Sequence, residues 1–285
     1  MPKEANLVIN SKEVPRIIYG TAWKEERTQE CVLNALEAGF RAIDTANQRK
    51  HYYEHGVGEA LMAAYAKGIV ERKDVFLQTK FTFKAGQDSR LPYDPNAALR
   101  TQVMESFESS LSHLGTDYVD SYILHGPSSW DALNEEDWQV WRAMEELHQS
   151  GKAAILGVSN VSLPQLRELY SQAKVKPLFV QNRCYASRRW DKEVRDFCAS
   201  QGIYYQAFSL LTANGWIIDH PEFQRVRKEA NSTPAQLVFA FAMQIGMLPL
   251  TGTRNTAHMT EDLRANEIYL STSQIDSLES LVQAR

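Results

Sequence analysis

The segment IDTANQRKHYYEHGVGEAL, residues 43–61, sets an acid, Asp44, at the end of a short apolar run and two phenols, Tyr52 and Tyr53, just ahead of Gly56 and Gly58. Two further runs carry residues of complementary chemistry at their ends, LQTKF with Lys80 and YILH with His125. A tyrosine is a weak acid, with a reference pKa of about 10, and a neighbouring ammonium stabilises its phenolate and lowers that value. Lys80 is placed to supply the ammonium. A buried ammonium loses its own proton unless a carboxylate balances it, which is the part open to Asp44. An imidazole at His125 donates a hydrogen bond to a substrate oxygen on which charge builds up. Asp, Lys, His and one Tyr together suit a carbonyl group that receives a hydride. Taken singly, each residue has a commoner reading. An Asp at a strand end is usually a turn or helix cap, a lone Lys or His is usually surface or satisfied core, and paired tyrosines usually pack. Their recurrence at the ends of successive apolar runs carries the sharper reading.

Those residues meet only if the runs lie side by side. Eight strand-like runs are present: RIIYGTA (16–22), RAIDTA (41–46), VFLQTKF (75–81), YVDSYILH (118–125), AILGVSN (154–160), LFVQNRC (178–184), IYYQAFSLL (203–211) and MLPLTGT (247–253). Between them lie segments with apolar residues at helical spacing, such as TQECVLNALEAG and STPAQLVFAFAMQ, two of which begin with Ser or Thr before Pro. The alternation predicts an α/β fold, a (β/α)8 TIM barrel filling one domain over residues 1–285. NLVINSKEV ahead of the first run predicts a short N-terminal β-hairpin that closes the barrel floor. The longest irregular stretches follow the fourth run (GPSSWDALNEEDW) and the seventh (TANGWIIDH), on the side where barrel enzymes build their sites.

Composition narrows the function. The chain has 285 residues, 44% hydrophobic and 23% charged, enough for a sizeable core. A net charge of -4 and no run of five Lys or Arg give no field for nucleic acid. The first residues hold no apolar signal core and no stretch reaches the length of a membrane span, so the expectation is a soluble cytoplasmic protein with no membrane partner. Cys31, Cys184 and Cys198 form no CxxC and read as reduced, packed thiols; no metal is assigned.

The motifs resemble those of the aldo-keto reductase family over nearly the whole chain, from GTAWK to LTGT: GFRAIDTA followed by GVGEAL, LQTKF, YILHGP, GVSN, VQNRC and QAFSLL. The resemblance implies that Asp44, Lys80 and His125 belong to the family's catalytic tetrad. It also implies that Ser159, Asn160 and Gln181 hold the nicotinamide carboxamide, that Phe208 stacks on the nicotinamide ring, and that Ser209 and Leu211 begin the pyrophosphate contacts. The implied activity is reduction of an aldehyde or ketone with NADPH, NADH being possible.

The departures are specific. The family tyrosine usually lies five residues after the aspartate, where this chain has Arg49, so the loop is longer and Tyr52 is favoured over Tyr53 as the acid. Leu250 and His258 stand where the family often grips the 2′-phosphate with Lys and Arg. Thr251, Thr253 and Arg254 remain as candidates, and weaker discrimination for NADPH is expected. Arg183 stands where many members have Glu and receives no role. Trp23, Trp130 and Trp216 lie in or beside the mouth loops and suit a bulky apolar or aryl carbonyl. The chain ends at Arg285 soon after YLSTSQIDSLESL, from which a more open pocket is expected. The expected assembly is a monomer or weak homo-oligomer. Three rivals stand beside the reductase: a Schiff-base lyase using Lys80, a regulatory barrel that keeps the cofactor without useful turnover, and a reductase of conjugated C=C bonds, in which the family replaces the histidine.

Overall fold

The computed structural model describes residues 6–9 and 12–281. Asn6–Ile9 (β1) and Lys12–Pro15 (β2) pair antiparallel, as the NLVINSKEV segment predicts; Asn10 and Ser11 between them, and the chain end at Arg285, lie outside the described residues. Eight parallel strands follow: Ile18–Gly20 (β3), Ala42–Asp44 (β4), Phe76–Phe81 (β5), Val119–Leu124 (β6), Ala153–Ser159 (β7), Phe179–Arg183 (β8), Tyr204–Phe208 (β9) and Met247–Thr251 (β10). They close in chain order into a barrel, with β10 pairing β3 through Leu250–Ile18 and Thr251–Tyr19. This is the (β/α)8 barrel that the alternation of runs implies.

The helices are Thr28–Ala38 (α1), Glu54–Ala66 (α2), Leu99–Leu114 (α3), Glu135–Gln149 (α4), Leu163–Gln172 (α5), Lys192–Gln201 (α6), Gly215–Ile218 (α7), Pro221–Glu229 (α8), Pro234–Gln244 (α9), Thr256–Leu263 (α10) and Thr272–Glu279 (α11). The two Ser/Thr–Pro starts behave as the sequence indicates. Ser162 and Thr233 cap α5 and α9 through the backbone N–H of Gln165 and Gln236, with Pro in the first turn where its missing N–H costs nothing. Gly58 on α2 has a packing reason: a Cβ there would lie 1.9 Å from the carbonyl oxygen of His113, so α2 and α3 approach closely only without a side chain.

Apolar residues form two cores. The larger, which includes Val32, Leu61, Phe107, Trp141 and Phe241, lies between strands and helices. The smaller fills the barrel floor with Ile18, Ala42, Phe76, Ile123, Ile155, Phe179 and Leu248, and Ile9 and Val14 of the hairpin join it. The floor is therefore sealed. Alternation along β5 shows how the barrel interior changes toward its mouth: Phe76 belongs to the floor, and Gln78 and Lys80, on the same face, replace apolar packing with polar groups. Leu77 and Phe81 face the outer core.

The strands are shorter than the apolar runs, and the reason lies at the mouth. Asn160 (φ 51°), just past β7, and Ser209 (φ 58°), just past β9, adopt left-handed conformations that no strand accommodates, as does Trp23 (φ 61°) in the loop after β3. Strained non-glycine residues thus cluster where the loops leave the barrel. Among the described residues, no helix is long and apolar enough to cross a membrane.

Candidate active site

Above the apolar floor the barrel interior holds a closed polar ring. Asp44 Oδ1 accepts from Gln78 Nε2 at 2.7 Å, Gln181 Nε2 at 3.0 Å and Lys80 Nζ at 2.6 Å. Gln206 Oε1 accepts from the same two glutamine amides, and its Nε2 donates to Gln78 Oε1 at 3.0 Å. The Lys80 ammonium has no exposed surface and donates its second bond to the Thr45 carbonyl at 2.8 Å. Burial pulls the Lys80 pKa down, while the Asp44 carboxylate and, more weakly, Glu54 push it back up. A buried charge of this kind survives because the network around it is satisfied.

Tyr52 lies over this pair. Lys80 Nζ is 5.2 Å from the centre of its ring, and the His125 ring meets it edge-on at 5.8 Å. The chain between Asp44 and Tyr52 is taken up by a turn: Tyr52 N–H donates to the Gln48 carbonyl at 2.9 Å, and Gln48 Nε2 donates to the Gly86 carbonyl at 2.7 Å. Tyr53 points elsewhere, with the Arg49 guanidinium 4.5 Å from its ring centre, and is not part of the cavity wall. The sequence reading expected the neighbouring ammonium to lower the phenol pKa; the structure corrects it. Burial, and next the Asp44 charge, hold the Tyr52 phenol above its ordinary value, so it is protonated in the resting protein. The His125 imidazole is driven well below its usual pKa by burial, by Lys80 and by His51, and is neutral. Its Nδ1 lies 2.7 Å from the Thr82 hydroxyl. A Thr82 hydroxyl that donates to Nδ1 leaves the ring proton of the neutral imidazole to Nε2.

Asp44, Tyr52, Thr82 and His125 line a cavity of about 910 Å³. Ser159, Asn160, Gln181, Phe208, Ser209, Leu211, Thr251, Thr253, Arg254 and His258 all contribute to its wall, as do Trp23 and Trp130. Trp216 does not. It lies in α7, half-buried and packed against the outer core instead of on the cavity wall, so the expectation that it lines a substrate pocket is corrected. Trp23 is 60% and Trp130 87% exposed, which puts both at the cavity rim, and the Trp23 ring packs on His51 at 4.1 Å. Two of the phosphate candidates have partners within the chain. The Thr251 hydroxyl donates to the Asp262 carboxylate at 2.7 Å, and an Arg254 guanidinium N–H donates to the Trp23 carbonyl. Arg183 lines the wall, 5.7 Å from the Tyr185 ring.

Several residues of this region carried no flag in the sequence reading. Thr82 stands two residues after Lys80, and Gln78 two before it, so strand alternation alone places all three on one face. Lys24 is buried and donates to the Gly252 carbonyl at 2.9 Å, with its ammonium pulled down to about 8 by burial. Neither Lys24 nor Asp262 has a local pattern that announces it.

The closed barrel agrees with the comparisons. Residues 16–283 match the family model described as Aldo/keto reductase family. A glyoxal reductase of Bacillus subtilis is 29% identical over 274 residues, 95% of this chain and 90% of the relative. An aldo/keto reductase from Brucella melitensis superposes with a TM-score of 0.80 at 25% identity, over 96% of this chain and 98% of that one. A Bombyx mori aldo-keto reductase, solved in complex with NADP, gives a TM-score of 0.80 at 22% identity over 95% and 90% of the two chains. The chain belongs to the aldo/keto reductase family and is an NAD(P)H-dependent oxidoreductase.

Proposed function

We propose that this chain, as one barrel domain, reduces an aldehyde or ketone to an alcohol, with Tyr52 giving the proton and His125 orienting the carbonyl oxygen. The observation that carries the reading is the stack of Asp44, Lys80 and Tyr52, with the buried ion pair at 2.6 Å and its ammonium 5.2 Å below the phenol ring. A protonated phenol is the right resting state for an acid. When its proton leaves, the Lys80 ammonium offsets the phenolate charge in a site where water does not. The neutral His125, with its proton on Nε2, donates to the oxygen and fixes its direction.

The wall chemistry fits a nicotinamide coenzyme, which when bound supplies the hydride. Gln181 Nε2 is committed to Asp44 and Gln206, and Asn160 Nδ2 to the His125 carbonyl and Ser159 Oγ. That leaves Gln181 Oε1 and Asn160 Oδ1 as acceptors without a partner among the described residues, a set suited to a carboxamide NH2. Phe208 offers a ring face, and Ser209 and Leu211 follow it along the groove. The rim tryptophans and Phe83 favour a bulky apolar or aryl carbonyl substrate. A lyase working through Lys80 fits poorly, since its amine has no exposed surface to offer a carbonyl.

The reading is tested by titrating the protein with NADPH and NADH through nicotinamide fluorescence, then following their oxidation against a panel of aryl and alkyl aldehydes and ketones. Binding with carbonyl-dependent oxidation is expected. Binding without oxidation across the panel points to the regulatory barrel instead. Arg254 bears on the choice of coenzyme. Arg254→Ala should weaken NADPH by about 1–2 kcal/mol, the range of a charge-assisted bond made by an exposed Arg, and leave NADH nearly unchanged. Equal losses for the two would take Arg254 out of phosphate recognition.

A further inference from the structure

We propose that Gln206, which lies beneath the cavity and is not part of its wall, is a positioning residue for the coenzyme: it locks the Gln181 amide with its oxygen turned into the cavity, so that Gln181 accepts from the carboxamide NH2. The inference rests on reading the cavity as the coenzyme groove. Gln206 and Gln78 have no exposed surface and do not line the cavity, whereas Asp44 and Gln181 do. The four residues form two register pairs on opposite sides of the barrel, Asp44 beside Gln78 on β4 and β5, and Gln181 beside Gln206 on β8 and β9. The two pairs meet across the lumen, where Gln78 Nε2 reaches Gln206 Oε1 at 2.8 Å and Gln181 Nε2 reaches Asp44 Oδ1 at 3.0 Å.

The direction of every bond in this ring is forced from the carboxylate outward. Asp44, ion-paired with Lys80, only accepts, so Gln78 and Gln181 must both face it with nitrogen. Each amide then has one further N–H, and both go to Gln206 Oε1, at 2.8 and 2.9 Å. The Gln206 nitrogen is thereby turned onto Gln78 Oε1 at 3.0 Å. One oxygen is left over. Both N–H groups of Gln181 are held within the ring, and its Oε1 has no described partner and is not sealed in by protein, so it opens to the cavity that Gln181 lines.

A free glutamine side chain presents its oxygen or its nitrogen to a ligand by a simple half-turn. Here the half-turn would set an oxygen against the Asp44 carboxylate and another against Gln206 Oε1, in a dry interior that tolerates neither. Gln206 therefore fixes Gln181 as an acceptor before any coenzyme arrives, which spares the cost of ordering it on binding. Without Gln206, the second N–H of Gln181 loses its acceptor. The amide then swings about its bond to Asp44, carrying that N–H toward the cavity and the oxygen away from it.

The test compares two coenzymes on the full chain, NADP+ and its 3-acetylpyridine analogue, in which a methyl ketone replaces the carboxamide and no NH2 remains. Dissociation constants are read by quenching of tryptophan fluorescence. Wild-type protein should bind NADP+ about tenfold or more tighter, the scale of a neutral hydrogen bond lost with its acceptor left unpaired. In Gln206→Met, which keeps the bulk and removes the amide, the preference should fall to within about threefold of unity. A residue that merely supports the fold would weaken both coenzymes alike and leave the ratio unchanged. An unchanged ratio in Gln206→Met, or a wild-type ratio already near unity, overturns the proposal and leaves the reductase reading intact. Failure of the wild type to bind NADP+ removes the coenzyme reading itself. Should Gln206→Met not fold, hydrogen exchange of the Gln181 side-chain NH2 in the coenzyme-free wild type, followed by 15N NMR, decides: both protons protected supports the locked amide, and one exchanging freely with solvent refutes it.

Discussion

Asp44→Asn should reduce carbonyl turnover by about a hundredfold or more, the range for loss of general-acid assistance, and destabilise the fold by up to about 3–5 kcal/mol, the cost of breaking a buried ion pair, which here includes the cost of deprotonating the orphaned ammonium. The substitution keeps the size of the side chain and one of its oxygens. What it removes is the charge that holds the ammonium of Lys80, whose only other described acceptor is the Thr45 carbonyl. Burial already pulls that ammonium toward its neutral form. Without the carboxylate it deprotonates, and the phenolate left by proton donation then has no cation beneath it. Two effects on Tyr52 oppose each other here, since Asp44 itself raises the phenol pKa and its loss removes that push. The nearer change wins: the carboxylate is held at 2.6 Å by the lysine, so the two charges vanish together and the phenol is left in an uncharged, dry setting. Adding Lys80→Met to Asp44→Asn should recover part of the lost stability, because it removes the orphaned amine, and none of the turnover. Turnover within a few-fold of wild type in Asp44→Asn, with coenzyme bound and urea unfolding unchanged, would take the pair out of the mechanism.

Much of this was legible in the chain because a parallel barrel turns sequence distance into proximity at one end. Asp44, Lys80 and His125 each sit at or just past the carboxyl end of a strand, and a reader who accepts the eight apolar runs as strands has already gathered them. Strand alternation would have added Gln78 and Thr82, the partners that hold Asp44 and His125 in place. The sign of the Tyr52 shift was not legible, for it depends on how much solvent the phenol loses against how close a charge lies, and both are three-dimensional quantities. Asp262 and Lys24 were hidden for a related reason. Each lies outside the strands, and each meets the mouth only because β10 brings Thr251 and Gly252 against it. Trp216 misled in the opposite direction, since an aromatic in a mouth loop has no local mark that separates a pocket wall from a brace.

The two tyrosines raise the sharpest remaining expectation. Tyr52→Phe should abolish carbonyl reduction, by a factor of about a hundred to ten thousand as is typical for loss of a positioned acid, and leave coenzyme affinity nearly intact. Tyr53→Phe should retain most activity. Adjacent side chains on an extended segment point in different directions, and only one phenol can come within about 2.6–3.2 Å of a carbonyl oxygen. Tyr52 lines the cavity beside His125 and over Lys80, whereas Tyr53 turns toward Arg49 at the start of α2, where its ring edge lies 3.0 Å from the position a Cβ on Gly56 would take. The turn closed by the Gln48 carbonyl and the Tyr52 N–H brings the phenol back over the barrel mouth. Removing the Tyr52 hydroxyl leaves the ring, its contact with His125 and the Lys80–Asp44 pair, so loss of rate without loss of stability or binding is what distinguishes a proton donor from a packing residue. Activity lost in Tyr53→Phe and kept in Tyr52→Phe would transfer the role to the neighbour, and activity surviving in the double variant would mean that the proton comes from neither phenol.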